Sequence, residues 1–303
     1  MRWTPGQRSQ DLEDRRGESG GGGGLPPFGG MRLGIGGIIV LVVLSLIFKR
    51  DFLGLLGGGT GAPSGEPSAS ASSSPEEEHL ADFVSFVLDD AQKVWEHTLP
   101  QQGVEYRRAK LVLFRDQIQS ACGFAEAASG PFYCPGDEKV YIDLGFYDEL
   151  RRRFGAPGDF AQAYVLAHEI GHHVQKLLGT EQRMRDAQRR RPELANELSV
   201  RLELQADCYA GIWANSTARR DILDKGDIEE GLTAAASVGD DRIQRMGGGA
   251  VQPEAFTHGS SEERSRWFNT GFTSGRIERC DTFRAASSSQ PRNTPGEPPA
   301  AGE

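Results

Sequence analysis

Ala167-His168-Glu169-Ile170-Gly171-His172-His173 is the stretch on which the reading of this chain turns. His168 and His172 are four residues apart, about 40° around a helix, so both imidazoles leave one face and can grip one ion. Glu169 lies about 100° further round, where its carboxylate can reach a water on that ion. The spacing His-Glu-x-x-His is the zinc-hydrolase pattern, and it predicts a helix because only a helix brings the two rings together. His173 points away from the pair and reads as a packed or exposed histidine, not a ligand.

Catalytic zinc takes three protein ligands and leaves a fourth position for water. Downstream, Glu203-Leu-Gln-Ala-Asp207 again sets two acidic residues four apart on one helix face. In a chain with 43 acidic residues such a pair alone reads as a solvated stripe. Here Leu198, Leu202, Cys208, Tyr209, Ile212 and Trp213 predict a largely buried helix, and buried carboxylates need a metal, a cation or hydrogen-bond donors to offset desolvation. Glu203 as third ligand, with Asp207 accepting the outer ring N–H of a liganding histidine, meets both needs.

Around this core the sequence predicts an α+β domain, mainly α, with a small sheet. Leu80, Phe83, Val84, Val87, Leu88 and Val94 mark an amphipathic helix, Val104 to Phe114 is extended, and Lys139–Asp143 has strand character. Helices are expected over Asp159–Leu178, Glu181–Arg190, Pro192–Ala214 and Ile228–Met246, with at least one more inside Pro253–Phe272. The five arginines between Arg183 and Arg191 read as a solvated face of mixed charge.

The 303 residues hold 39 Gly and 16 Pro, concentrated in stretches that build no core, so one folded domain is expected, over 79–284. A net charge of −9 and 37% hydrophobic residues exclude a wholly disordered chain and a nucleic-acid binder working through a basic surface. Residues 1–30 read as a disordered tail, 51–78 as a flexible linker and 285–303 as a second disordered tail. Between them, MRLGIGGIIVLVVLSLIF (31–48) carries one charge, Arg32, and as a helix is about 27 Å long, so 31–50 is expected to be a single transmembrane anchor. A cleaved signal peptide fits less well, because Ala69-Ser70-Ala71 lies too far beyond the apolar run. Arg2, Arg8, Arg15, Arg16 and Arg32 precede the run and only Lys49 and Arg50 closely follow it. That balance predicts a cytoplasmic N-terminus and an extracytoplasmic domain in the cell membrane.

Such a compartment permits disulfides. Of the three connectivities open to four cysteines, proximity favours Cys122 with Cys134, leaving Cys208 with Cys280. Buried free thiols are the alternative.

Five segments carry a specific resemblance: Gly130-Pro-Phe-Tyr-Cys-Pro135, Gly158-Asp-Phe-Ala-Gln-Ala-Tyr164, Ala167 to Gln175, Leu202 to Cys208 and Phe256-Thr-His-Gly-Ser-Ser261. Together with the Met1-Arg-Trp3 start and Cys280-Asp-Thr-Phe283, they resemble the bacterial putative neutral zinc metallopeptidase family over nearly the whole chain. The resemblance implies an N-terminal anchor, a zincin-like domain and a gluzincin-type site with one catalytic Zn2+ held by His168, His172 and Glu203. Glu169 would be the catalytic residue and peptides or proteins the substrate. His258, in a Gly/Ser-flanked loop, is the candidate donor to the oxyanion, its alternative being a plain loop or helix-cap residue; Tyr141 and Tyr209 are weaker candidates. Zincins generally set a sheet edge before this helix, which makes Lys139–Asp143 the candidate substrate-pairing strand, or else an ordinary one. Competing functions are a catalytically silent metal-binding adaptor of the cell envelope and a zinc hydrolase of a non-peptide amide. Nothing in the sequence bears on oligomeric state.

Overall fold

Ser74 starts α1 (Pro75–Thr98), the first helix among the described residues, in the computed structural model, which describes residues 1–18, 73–126 and 130–284. Its hydroxyl accepts from the Glu77 N–H while the Glu77 carboxylate accepts from the Ser74 N–H. Pro75 occupies the first turn, where a missing N–H costs nothing, and Glu76, Glu77 and Glu78 face the positive helix end. The expected linker 51–78 therefore ends earlier, since its closing Pro-Glu-Glu-Glu is a helix start.

The sheet is built from β1 (Leu12–Asp14), β2 (Lys110–Phe114), β5 (Phe132–Cys134) and β6 (Lys139–Asp143), in the order β1-β2-β6-β5. β1, β2 and β6 are parallel, and β5 runs antiparallel at the edge. A separate hairpin joins β3 (Gln117–Ser120) to β4 (Gly123–Glu126). Alternation along the strands divides the core. Leu111, Leu113, Val140 and Ile142 face the helices, whereas Val112, Phe114 and Tyr141 pack with Ile118 and Cys134 on the other side.

Two expectations are corrected here. β6 lies inside the sheet, between β2 and β5, so the edge belongs to β5. The tail expected over 1–30 is also structured at its start: β1 pairs Leu12 with Leu111 and Asp14 with Leu113, and residues 1–16 belong to one compact unit with the chain from Ser73 onward. Its polar pattern misleads because its charges are paired across the fold. Arg8 bonds Asp82 and Glu78, buried Arg16 bonds Asp14 and Glu78, and Asp11 accepts from Arg108 and Lys110. Trp3 stacks on α1 against Phe83 and Phe86.

β1 also bears on topology. One crossing within 31–48 would put β1 and β2 on opposite sides of a bilayer, and strands that share hydrogen bonds share a compartment. The anchor expected over 31–50 itself lies outside the described residues; no described helix is long and apolar enough to cross a membrane.

The remaining elements are helical: α2 (Gly145–Arg152), α3 (Asp159–Leu177), α4 (Thr180–Arg190), α5 (Ala195–Arg219), α6 (Asp227–Ser237), α7 (Asp240–Met246) and α8 (Ser261–Ser274). The helix expected over Ile228–Met246 breaks at Gly239, where a Cβ would come within 2.4 Å of the Ser261 backbone N. α3 is buried along nearly its whole length and packs on α1, α5 and α6. Disulfides join Cys122 to Cys134 and Cys208 to Cys280, as expected. On α4, Arg185 pairs with Glu181 and Arg189 with Asp186, the mixed-charge face the sequence suggests.

Candidate metal centre

α3 and α5 meet at Gly171 and Ala206. A Cβ on Gly171 would stand 3.0 Å from the Ala206 carbonyl oxygen and 3.1 Å from its Cα, so only glycine lets the backbones come this close without a shift. The approach brings His168 and His172 of α3 against Glu203 of α5. His168 Nε2 lies 3.2 Å from Glu203 Oε2 and His172 Nε2 lies 3.5 Å from Glu203 Oε1. One ligand atom from each of the three lies within 4.8 Å of the others.

Both rings are aimed from behind. His168 Nδ1 bonds Asp207 Oδ1 at 2.9 Å, and His172 Nδ1 bonds Gln175 Oε1 at 2.9 Å. Carboxylate and amide oxygens only accept, so each Nδ1 carries a proton and each Nε2 faces Glu203, where a bound ion would take the place of the Nε2 proton. Gln175 is fixed in turn by donating to the Leu202 carbonyl at 2.7 Å. Two imidazoles, which are ligands once an ion displaces their Nε2 protons, and one carboxylate converge on a point and form a donor set that suits zinc.

The electrostatics favour a cation. Burial opposes charge on His168, but the Asp207 carboxylate and hydrogen bonds to Asp207 and Glu203 outweigh it and push its pKa up to about 10. Glu203 sits well below the usual carboxylate range because the charge of His172 and hydrogen bonds from both rings overcome its burial. A second group, Asp159, Asp227 and Glu230, is all carboxylate, and Asp159 there holds the Met1 amine at 2.9 Å.

His168, His172 and Glu203 line a cleft of about 450 Å³ together with Glu169, His258 and the start of β5. His258 is 51% exposed on its side chain, and its Nδ1 bonds Asp240 Oδ1 at 3.1 Å. The other Asp240 oxygen accepts from the backbone N–H groups of Thr257, His258 and Gly259. That hydrogen bond to Asp240 raises the His258 pKa against partial desolvation. Tyr141 and Tyr209 are placed elsewhere: the Tyr141 hydroxyl donates to Asp137 and Tyr209 packs edge-on against Trp95. His173 is a structural residue, as read, with Nε2 donating to the Arg107 carbonyl and Nδ1 accepting from the Tyr133 hydroxyl at 2.9 Å. It ties β5 to α3.

The profile of the family described as "Putative neutral zinc metallopeptidase" matches residues 1–283. The chain belongs to this family. It is 45% identical over 290 residues to the uncharacterized protein YpfJ of Escherichia coli (strain K12), covering 93% of this chain and 99% of the relative. It is 44% identical over 204 residues to the uncharacterized protein Rv2575 of Mycobacterium tuberculosis (strain ATCC 25618 / H37Rv), covering 64% of this chain and 67% of the relative. No solved structure matches the chain. Membership of a zinc peptidase family implies zinc, and the His168, His172 and Glu203 group is where this chain has the donors for it.

Sequence reasoning missed Gln175, Asp240 and Arg264. Gln175 stands three residues after His172 on one helix face, a spacing visible in the sequence. Asp240 and Arg264 reach the site only through tertiary packing and leave no local sign.

Proposed function

We propose that this protein hydrolyses peptide bonds with one zinc ion held by His168, His172 and Glu203. The observation that supports this best is the pair of ring Nε2 atoms converging on a carboxylate beside Glu169 in an open cleft. Bound there, zinc supplies Lewis acidity, polarising a carbonyl and making water more acidic. Glu169 takes the proton from the attacking water and delivers it to the departing amine. His258, which lines the cleft and is held by Asp240 through Nδ1, donates from its protonated ring to the developing oxyanion. β5 offers its outer edge to an extended polypeptide, fastened from behind by Tyr133–His173 and at its end by Cys122–Cys134.

The two disulfides support work in an oxidising compartment, outside the cytoplasm. Residues 1–16 then lie there too, because β1 belongs to the same sheet.

The test is zinc content and hydrolysis of a mixed peptide library by the purified protein and by Glu169→Gln. The variant should keep stoichiometric zinc and lose turnover by about a thousandfold or more, since it removes general base and general acid together. Equal rates would refute the role of Glu169. Zinc without hydrolysis in either protein would favour the metal-binding adaptor, and cleavage of small amides alone the non-peptide hydrolase.

A further inference from the structure

Arg264, on the first turns of α8, is 4% exposed and has no part in the chemistry proposed above. Its Nε donates to Asp207 Oδ2 at 2.8 Å and its Nη2 to Asp207 Oδ1 at 3.0 Å, the two-pronged match of guanidinium to carboxylate. Nη1 donates to the Val238 carbonyl at 3.2 Å, and Nη2 also reaches the Tyr164 hydroxyl at 3.3 Å. Tyr164 donates its own proton to Asp207 Oδ1 at 2.5 Å, and His168 Nδ1 approaches the same oxygen at 2.9 Å. Asp207 is fully buried, and of these four contacts, two from Arg264 and one each from Tyr164 and His168, three meet Oδ1 and one meets Oδ2, so both carboxylate oxygens are held. With three places filled from α8 and from Tyr164, the carboxylate can neither rotate nor turn away from the ring.

We propose that Arg264 is a positioning residue for the metal centre: through Asp207 it fixes the orientation and tautomer of His168, so that Nε2 is presented to the ion. The inference rests on the zinc reading of His168, His172 and Glu203. It assigns to α8, which supplies no ligand, control over how tightly the site holds metal. A purely structural ion pair would instead hold α8 against α3 and α5 and leave metal affinity alone. Lysine separates the two roles, because it keeps the positive charge beside Asp207 but has no planar fork to hold both oxygens and the Val238 carbonyl together.

The full chain is purified as wild type, Arg264→Lys and Tyr164→Phe. Zinc affinity is measured by chelator competition and the unfolding midpoint on metal-free protein. Arg264→Lys is expected to weaken zinc binding about 10- to 100-fold, the usual effect of losing a residue that orients a ligand, and Tyr164→Phe to weaken it less. Metal-free midpoints should move little compared with the zinc-induced rise in midpoint, which shrinks in both. Wild-type zinc affinity in Arg264→Lys, or in Tyr164→Phe should the lysine variant not fold, overturns the proposal. Failure of the wild type to bind zinc overturns the metal reading instead.

Discussion

Asp240 shows how one buried carboxylate sets the chemistry of a residue it does not adjoin in sequence. It accepts three backbone N–H groups from 257–259 and the His258 ring, so it shapes the loop and charges the imidazole together. The His258 pKa is raised by that hydrogen bond. A raised folded pKa means that the stabilising contact is fully present below the unfolded value, 6.5, and is lost as pH rises through the folded value. If the protonated ring is the donor, activity falls on the same alkaline limb. Asp240→Asn keeps an amide oxygen for the backbone donors but removes the negative charge. The alkaline limb of kcat/KM should then move to lower pH with the acid limb unmoved. An unchanged pH–rate profile would exclude His258 as the titrating donor.

At the scale of elements, helices in contact through glycine explain how the site is assembled. α5 carries Glu203 and Asp207 on its face toward α3, and packs on α8 through the adjoining face that holds Cys208, Gly211 and Ile212. There a Cβ on Gly271 would lie 1.9 Å from the Cys208 carbonyl oxygen, and one on Gly211 would lie 2.1 Å from that of Phe268. These are backbone atoms within helices and cannot swing aside. Gly271→Ala should cost about 3 kcal/mol or more by overpacking. For a domain of roughly 200 residues that lowers Tm by about 6–12 °C in a thermal melt. A loss under about 1 kcal/mol would mean that the two helices are not in backbone contact. Zinc affinity should fall as well, since the displaced helix is the one that brings Arg264 to Asp207.

For the whole molecule, the sheet joins stretches of chain on either side of the apolar run. β1 is hydrogen-bonded to β2, and Ser9, Asp11 and Arg16 are buried in the contact. If the apolar run 31–48 holds the protein at a membrane, residues 1–16 and the domain carrying His168, His172 and Glu203 should thus be found on one side of it. All four cysteines are in disulfides, so a single introduced thiol reports its own position. Gln10→Cys and Arg266→Cys, both at exposed positions, should react alike with a membrane-impermeant maleimide in intact cells. Labelling of Arg266→Cys alone would place the N-terminus in the cytoplasm, as the arginine distribution suggests, and would separate β1 from the sheet in the membrane-bound protein.

The sequence by itself determined what depends on local spacing. His168, Glu169 and His172 follow from the 3.6-residue period, Glu203 and Asp207 from the same period on a helix with a buried face, and Cys122–Cys134 from proximity along the chain, which leaves Cys208 for Cys280. It failed where a residue's role depends on a partner far away. Residues 1–16 look disordered because polarity and charge read as solvent exposure, whereas their partners are on α1 and β2. β6 has the composition of a strand, but composition carries no neighbour order, and only the pairing with β2 and β5 shows it to be interior. Arg264 and Asp240 join the site by hydrogen bonds to residues 57 and 18 positions away, and only packing in three dimensions decides such contacts.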